Sequence, residues 1–242
     1  MLDIDDLCVV RGEGESAHPV YLPQLSLRPG QVVAVTGESG CGKSTLLEAI
    51  GLVLRPASVG RFTLQGETLL DVASLLAQNQ QAKLAEIRAR HLGFVLQNGG
   101  LLPFLSVQDN ITLPCQLLGM TPDMAMLSRV IDALKLGPLL DKYPAQLSFG
   151  ERQRTAFARA ILHRPALVLA DEPTAALDPH NAQQLFSLFI DLVAQENMMA
   201  LVVCHDWPLV QRFKLPCLIA HPGSGASDLS DEQAQRGTHF VL

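Results

Sequence analysis

Residues 37–45 read Gly37-Glu38-Ser39-Gly40-Cys41-Gly42-Lys43-Ser44-Thr45 and match the pattern G-x-x-x-x-G-K-[ST]. An apolar run, residues 32–36, precedes them, and a helical pattern begins near Lys43. Glycine lets the backbone turn tightly enough to aim successive N–H groups at phosphate oxygens, and the following helix adds the partial positive charge of its N-terminus. The pattern therefore predicts a phosphate-binding loop in which Lys43 reaches the β- and γ-phosphates and Ser44 ligates Mg²⁺.

A second apolar run, residues 167–170, ends in two neighbouring carboxylates, Asp171 and Glu172. Because side chains alternate along a strand, the two carboxylates can serve different purposes without colliding. An acid-tipped strand supplies a partner for Mg²⁺ and a residue that orients or activates water. We predict that Asp171 lies at the metal and that Glu172 acts on the attacking water.

The composition fits a single large domain. The chain has 242 residues, of which 48 % are apolar and 17 % charged, so a sizeable core can form and a disordered or fibrous chain is excluded. The apolar runs are strand-sized and fall short of the ~18 residues that a membrane-spanning helix requires. The formal charge is −6, so the chain lacks the excess of basic residues that binds nucleic acid, and we expect no nucleic-acid partner.

The chain start and the cysteines bear on the compartment. Residues 1–6 are acidic where a secretion signal would be basic, which predicts a chain that stays in the cytosol. The five cysteines are odd in number and include no C-x-x-C pair, which disfavours a disulfide framework and a zinc site. Oxidation of Cys41 would block the binding of a phosphate in the loop. The simpler interpretation is that Cys41 is a small residue that fills space in the loop.

Strand-like runs alternate with helical patterns, which predicts an α/β domain with a largely parallel sheet. Two N-terminal runs, 2–10 and 20–27, indicate an antiparallel hairpin. Residues 73–90 have the periodicity of one helix. Further strands are predicted at 91–97, 166–170, 199–204 and 215–220.

The middle and the end of the chain differ from this alternation. Residues 98–160 lack a convincing strand and are interpreted as an α-helical insertion, in which Thr121 followed by Pro122 predicts a helix start. Residues 1–220 are taken as one domain, and residues 221–242 as a polar tail.

Residues 147–154 read Leu147-Ser148-Phe149-Gly150-Glu151-Arg152-Gln153-Arg154 and resemble LSGGQxQR, the signature of the ATP-binding cassette (ABC) ATPases. The chain resembles that family over roughly residues 2–220, because the family's motifs occur in it in the same order. They are the phosphate loop, Gln97, the signature, the strand that ends in Asp171 and Glu172, Ala176-Leu177-Asp178 and His205. The resemblance implies an α/β fold, namely a P-loop NTPase core with an N-terminal antiparallel β region and an α-helical signature subdomain. It also implies ATP and Mg²⁺ as ligands and ATP hydrolysis as the activity.

The resemblance assigns roles residue by residue. Gln97 resembles the glutamine that touches Mg²⁺ and senses a membrane partner. Ser148 and Gly150 resemble the signature residues that contact the γ-phosphate bound on an opposite subunit. Asp178 resembles an aspartate of the dimer interface, and His205 resembles the histidine at the γ-phosphate.

Three positions depart from the family pattern. Phe149 replaces the first signature glycine, and Glu151 replaces the usual glutamine. The aromatic residue expected to stack on adenine is missing from its usual place. Arg11 stands closest to that place and can stack through its guanidinium plane, and Tyr21 is the other candidate.

Residues 92–97 and the upstream helix around residues 82–88 resemble the lipoprotein-releasing and macrolide-efflux branch of the family. The resemblance continues in Leu101-Leu102-Pro103, Leu105-Ser106-Val107, Asn110-Ile111 and Leu113-Pro114. The resemblance implies a homodimer that closes on two Mg-ATP and drives a separate integral membrane, permease-like subunit, so that the chain is peripheral on the cytoplasmic side of the inner membrane. Two alternatives stay open: an ATP-gated module that signals to an extracytoplasmic enzyme without transport, and a soluble ABC ATPase of DNA repair or translation.

Overall fold

The five residues before the glycine-rich loop, Val32–Thr36, form strand β3 in the computed structural model, and all five are buried. The structure describes residues 1–12, 17–66, 68–175, 177–222 and 237–242. Within these ranges ten strands form one sheet. The other nine strands are β1 (Leu2–Arg11), β2 (His18–Leu27), β4 (Arg61–Gln65), β5 (Leu69–Asp71), β6 (Leu92–Val95), β7 (Leu167–Asp171), β8 (Met199–Val203), β9 (Cys217–Pro222) and β10 (Thr238–Val241).

The sheet has a parallel half and an antiparallel half. Its order is β5-β4-β1-β2-β10-β9-β3-β8-β7-β6. Strands β9, β3, β8, β7 and β6 pair in parallel, and β5, β4, β1 and β2 pair antiparallel. The carboxyl ends of the parallel strands therefore meet at one edge, where ligands bind in open α/β sheets.

Eight α-helices within the described residues cover the sheet. They are α1 (Lys43–Ile50), α2 (Val72–Ala77), α3 (Gln81–His91), α4 (Val107–Leu117), α5 (Met124–Ala133), α6 (Phe149–Ile161), α7 (Pro179–Gln195) and α8 (Trp207–Arg212). Alternate residues of the central strands face opposite sides: Leu167 and Leu169 pack with α1, α2 and α3, whereas Val168 and Ala170 pack with α4 to α7. The sheet thus has a core on both faces, which explains its nearly continuous apolar strands.

The N-terminal hairpin, the strand before the loop and the helix beginning at Lys43 are confirmed. The single helix predicted over 73–90 is wrong: α2 ends at Ala77 and α3 begins at Gln81. Asn79 between them has φ +52°, which a continuous helix does not allow.

Two further features were missed or misplaced. Strands β4 and β5 carry no signal that the sequence analysis used. The sequence analysis predicts a helix capped by Thr121 with Pro122 as its first residue, but the cap is Asp123 and α5 begins at Met124. The Asp123 carboxylate accepts from the N–H groups of Ala125 and Met126.

The end of the chain belongs to the sheet. Strand β10 pairs in parallel with β2 and antiparallel with β9, so it joins the two halves. Phe240 is fully buried, and Thr238 and His239 nearly so. These residues lie in the stretch that the sequence analysis assigned to a polar tail. Burial of Phe240 and the strand pairing place them in the domain, and residues 223–236 lie outside the described ranges. No helix of the described residues is long and apolar enough to cross a bilayer.

Candidate functional site

The glycine-rich loop connects β3 to α1, and its surroundings require two of its glycines. Gly37 has φ +153°, and a Cβ built on it would lie 2.5 Å from Ala220 Cβ and 2.9 Å from Cys41 Sγ. Gly42 has φ +95°, and a Cβ there would lie 2.5 Å from Val20 Cγ2. Neither position has room for a larger residue, so the tight path of the loop follows from its sequence.

The Lys43 side chain points back into the loop and is only 5 % exposed. Its Nζ donates to the Gly37 carbonyl oxygen at 3.0 Å and to the Glu38 carbonyl oxygen at 2.6 Å, and it lies 3.7 Å from Cys41 Sγ. A buried ammonium group requires such partners. The charge is thus held inside the loop, where phosphate oxygens could take the place of the carbonyl oxygens.

The rest of the loop surrounds this charge with an open polar surface. Glu38, Ser39 and Gly40 are exposed, Ser44 is half-buried and Thr45 is buried. Helix α1 carries no acidic residue in its first turn, so no carboxylate of that turn offsets the positive end of its dipole. The arrangement suits an anion with several oxygens.

Glu172 lies between Gln97 and His205 and contacts both. Gln97 Nε2 donates to Glu172 Oε2 at 3.2 Å, and His205 Nε2 lies 2.8 Å from Glu172 Oε1. The Glu172 backbone has φ +47°, and its N–H donates to the Val203 carbonyl oxygen at 3.2 Å. The structure thus brings together the residues that the sequence analysis assigned to Mg²⁺ (Gln97), to the attacking water (Glu172) and to the γ-phosphate (His205). Each lies just beyond the end of a parallel strand.

Asp171 ends β7 beside this cluster. Among the described residues its Oδ1 atom is buried and has no hydrogen-bond partner. A buried carboxylate oxygen is costly unless a cation or a donor binds it. Magnesium prefers oxygen ligands and retains positions for phosphate oxygens, so it fits this place. The described residues contain no group of three or more His, Cys, Asp and Glu residues that could hold a metal ion.

Gln153 is a residue of this site that the sequence analysis missed. It is almost fully buried on α6, and its Nε2 donates to the backbone carbonyl oxygen of Gln97. The signature helix is therefore joined directly to the residue that contacts Glu172. Gln153 stands inside the quoted signature segment, but the sequence gives no sign that its amide reaches the end of another element.

The signature residues form the start of α6. Ser148 Oγ accepts from the Glu151 N–H at 3.3 Å, and Glu151 Oε2 accepts from the Ser148 N–H at 2.7 Å, which is a capping box. The Ser148 N–H holds the pKa of the Glu151 carboxyl below its ordinary value. Glu151, one of the departures from the family pattern, is thus used to stabilise the helix start.

The other signature positions face different neighbours. The Arg152 guanidinium lies 5.7 Å from the centre of the Phe149 ring, so the bulky side chain packs against its own helix. A Cβ on Gly150 would lie 3.2 Å from Leu177 Cδ2. Within the described residues, no hydrogen bond joins Ser148 or Gly150 to the phosphate loop of the same chain.

Asp178 caps α7, where its carboxylate accepts from the Asn181 N–H at 3.1 Å and from the Asn181 Nδ2 at 2.6 Å. The Asn181 N–H is the main cause of a lowered pKa for the Asp178 carboxyl. Asp178 is therefore fixed at the start of a helix. The residue before it, Leu177, is the one that lies against Gly150 of the signature. Ala176, the first residue of that predicted motif, lies outside the described residues.

The two candidates for stacking on adenine differ in access. Arg11 is exposed, and its guanidinium pairs with Glu48 of α1 at 3.1 Å. The Tyr21 ring is 8 % exposed and stacks on His239, with the ring centres 4.7 Å apart. Tyr21 is thus buried in the sheet and its ring is not presented to a ligand.

A tight glycine loop at a helix start, a buried lysine inside it and two carboxylates at the end of one parallel strand of the same sheet define a P-loop nucleotide-binding ATPase. Residues 23–175 match the family described as ABC transporter. The chain belongs to this family and is an ATP-binding, ATP-hydrolysing cassette of it.

Its relatives carry the names of two transport systems. The chain is 39 % identical over 190 residues to the lipoprotein-releasing system ATP-binding protein LolD 1 of Rhodospirillum rubrum, which covers 78 % of this chain and 80 % of that protein. It is 37 % identical over 209 residues to the macrolide export ATP-binding/permease protein MacB of Marinobacter nauticus, over 85 % of this chain but 31 % of MacB. The predicted resemblance to this branch is confirmed.

A solved structure has the same fold. It is the dimeric post-hydrolysis state of the ATP-binding cassette MJ0796 bound to ADP and Pi, with a TM-score of 0.73 and 28 % sequence identity over 90 % of this chain and 94 % of that one. The α/β P-loop fold predicted from the sequence is confirmed.

Proposed function

We propose that this chain is the nucleotide-binding subunit of a transporter, in which Glu172 activates water for ATP hydrolysis and Lys43 and His205 assist it. The observation that supports the assignment best is the carboxylate of Glu172, which is held between Gln97 and His205 at the same edge of the sheet as the phosphate loop. A carboxylate that is oriented by two fixed partners needs little reorganisation when it accepts a proton from water.

The remaining phosphate contacts follow from the loop. Backbone N–H groups of residues 37–45 cradle the phosphates, and Lys43 exchanges its carbonyl partners for β- and γ-phosphate oxygens. The His205 imidazole is placed to hold Glu172 and to donate to a γ-phosphate oxygen. The Lys43 and His205 side chains are fixed before ATP arrives, because each already has a hydrogen-bond partner in the protein.

The site has oxygen ligands for Mg²⁺. The Ser44 hydroxyl, the Gln97 amide oxygen and the Asp171 carboxylate would hold it, and the unpartnered Asp171 Oδ1 supports this set. When bound, Mg²⁺ neutralises charge on the phosphate oxygens.

Two copies of the chain complete the site. Ser148 and Gly150 begin a helix of thirteen residues, and such a helix start offers N–H groups to an anion. Because they make no hydrogen bond to their own phosphate loop among the described residues, we assign them to the γ-phosphate held by a second copy, with Asp178 at the same interface. The dimeric cassette MJ0796, a structural relative, supports this arrangement.

A separate permease-like membrane protein receives the motion of this dimer, and the chain is peripheral on the cytoplasmic face of the inner membrane. Helix α4 and its surroundings form an open groove of about 300 Å³ with Leu113, Pro114 and Leu117 in its wall. Leu117 is 78 % exposed, and Phe104 in the preceding loop is 72 % exposed. Exposed apolar surface of this kind is typical of protein interfaces, and it supports a docking site near Gln97 and residues 98–115.

The test is a trapping experiment combined with co-purification. Glu172→Gln keeps the phosphate loop, so this variant should bind Mg-ATP, fail to hydrolyse it and elute as a dimer in light scattering, whereas wild type with ADP elutes as a monomer. Glu86→Gln, an exposed matched change, should behave as wild type. Normal hydrolysis by Glu172→Gln would contradict the assignment. Recovery of the wild-type chain with DNA or ribosomes instead of a membrane protein would contradict the proposed partner.

A further inference from the structure

His18 begins β2 and lies against the phosphate loop, although no motif marks it. A Cβ built on Gly42 would lie 3.8 Å from His18 Cδ2, next to Val20. Residues 18 and 20 point to the same face of the strand because side chains alternate. The imidazole is thus a flat aromatic ring beside the last glycine of the loop.

The position of His18 in the sheet identifies which end of a bound nucleotide it faces. Strand β3, which leads into the loop, has β8, β7 and β6 on one side, and these strands precede His205, Glu172 and Gln97. On its other side lie β9, β10 and β2, and β2 carries His18. A triphosphate whose γ-phosphate faces Glu172 therefore extends its nucleoside toward the side of His18.

The imidazole is fixed by the last strand of the chain. His18 Nε2 lies 3.0 Å from Thr238 Oγ1, a hydrogen bond between residues 220 positions apart. Thr238 is 2 % exposed and pairs with Val20 in the parallel ladder between β10 and β2. One edge of the ring is thus occupied by a buried hydroxyl, which restricts its orientation.

The two candidates from the sequence analysis are less suited to the base. The Tyr21 ring is buried against His239. The Arg11 guanidinium is paired with Glu48, although Arg11 is the cross-strand neighbour of His18 in the hairpin. Arg11 can therefore form a side wall next to the imidazole while its charge stays with Glu48.

We propose that the imidazole of His18 stacks on the purine base of the bound nucleotide and that Thr238 is its positioning residue. The proposal rests on the proposed nucleotide site and adds the contact that the missing aromatic residue would have made. Base stacking on an aromatic ring contributes about 1–3 kcal/mol. Purine nucleotides should therefore bind more tightly than pyrimidine nucleotides, because the larger ring overlaps the imidazole more.

The experiment compares ATP with inorganic tripolyphosphate, which has the phosphates but no base. Calorimetry with the full chain should give His18→Ala a Kd for ATP about 10-fold above wild type, while its Kd for tripolyphosphate stays within about 2-fold. His18→Phe should recover most of the ATP affinity. His221→Ala, which removes an exposed histidine of β9, should change neither value.

Thr238 is tested with the same pair of ligands. Thr238→Val should weaken ATP about 3-fold without affecting tripolyphosphate, and Thr238→Ser should restore ATP binding because it keeps the hydroxyl. A structural defect would instead weaken both ligands together.

Three results would overturn the proposal: an unchanged ATP affinity in His18→Ala, an equal loss for ATP and tripolyphosphate, or a larger loss of ATP affinity in Arg11→Ala than in His18→Ala. These results are distinct from failure of the proposed function, in which the wild-type chain would bind neither ATP nor tripolyphosphate.

Discussion

The two flanks of the phosphate loop are built in different ways. On the flank of β7 and β8, each reactive side chain stands at a strand end that its own local sequence defines, as Glu172 and His205 do. On the flank of β2 and β10, His18 is set by a hydrogen bond to Thr238, from the other end of the chain. The first flank is expected to control turnover, and the second is expected to control affinity for the nucleoside. Substitutions on either side can test this division.

The largest effect is expected from Lys43, which serves the phosphates directly. Lys43→Ala removes the buried ammonium from the loop, so ATPase activity should fall about 10³-fold or more and ATP should bind weakly. Steady-state phosphate release and calorimetry measure the two quantities. Lys83→Ala, an exposed lysine of α3, is the matched control and should resemble wild type. Near-normal turnover in Lys43→Ala would remove Lys43 from the mechanism.

A large but selective effect is expected from Glu172, which should separate hydrolysis from binding. Glu172→Gln loses the basic oxygen but keeps the size of the side chain, so kcat should fall about 10²–10³-fold while the ATP Kd changes little. Single-turnover hydrolysis assays and equilibrium binding measurements on the variant and the wild type give the two quantities. If Kd and kcat change together, Glu172 is a binding group and the division between the flanks fails.

A smaller effect is expected from Gln153, which links α6 to Gln97. Gln153→Leu removes the amide that donates to the Gln97 carbonyl oxygen, so Gln97 loses a buried partner that fixes its position. We expect kcat to fall about 10-fold with little change in the Kd for ATP, since the phosphate loop is untouched. Gln108→Leu, on the exposed side of α4, is the control. A change in Kd alone would show that Gln153 supports the nucleotide and not Gln97.

The smallest effect is expected from Glu151, in the capping box of α6. Its pKa is lowered in the folded chain, so its contribution to stability is complete above the unfolded pKa and is lost as pH falls through the folded pKa. Because Glu151 is half-buried at the protein surface, solvent screening keeps this contribution at about 0.5 kcal/mol. Glu151→Gln should therefore lower Tm slightly at pH 7 and flatten the loss of Tm below pH 5. If the Tm of this variant falls with decreasing pH as steeply as that of the wild type, Glu151 is not the cause of the pH dependence.

The same contrast shows how far the sequence alone could lead. The phosphate loop, the acid-tipped strand and the signature were readable because each is a local pattern whose spacing reflects a strand, a turn or a helix start. The break between α2 and α3 at Asn79 could not be predicted, because the apolar periodicity of residues 73–90 continues across it. The break depends on one residue with a left-handed backbone conformation.

Contacts between distant segments were also hidden from the sequence. Phe240 is buried in strand β10, which pairs with β2 from the other end of the chain, so a short apolar run after a polar stretch gave no sign of β10. Gln153 and His18 have their partners 56 and 220 positions away. Residue types alone do not specify such pairings, and the structure is needed to find them.

The central claim is that one chain supplies the phosphate loop and its partner supplies the signature at each ATP. The direct test mixes two inactive variants, Lys43→Ala and Ser148→Asp. Aspartate preserves the helix cap but places a negative charge beside the γ-phosphate. In a mixed dimer one site contains both defects and the other contains neither, so a 1:1 mixture should recover about a quarter of the wild-type ATPase activity. A mixture no more active than its two components would contradict a site shared between copies.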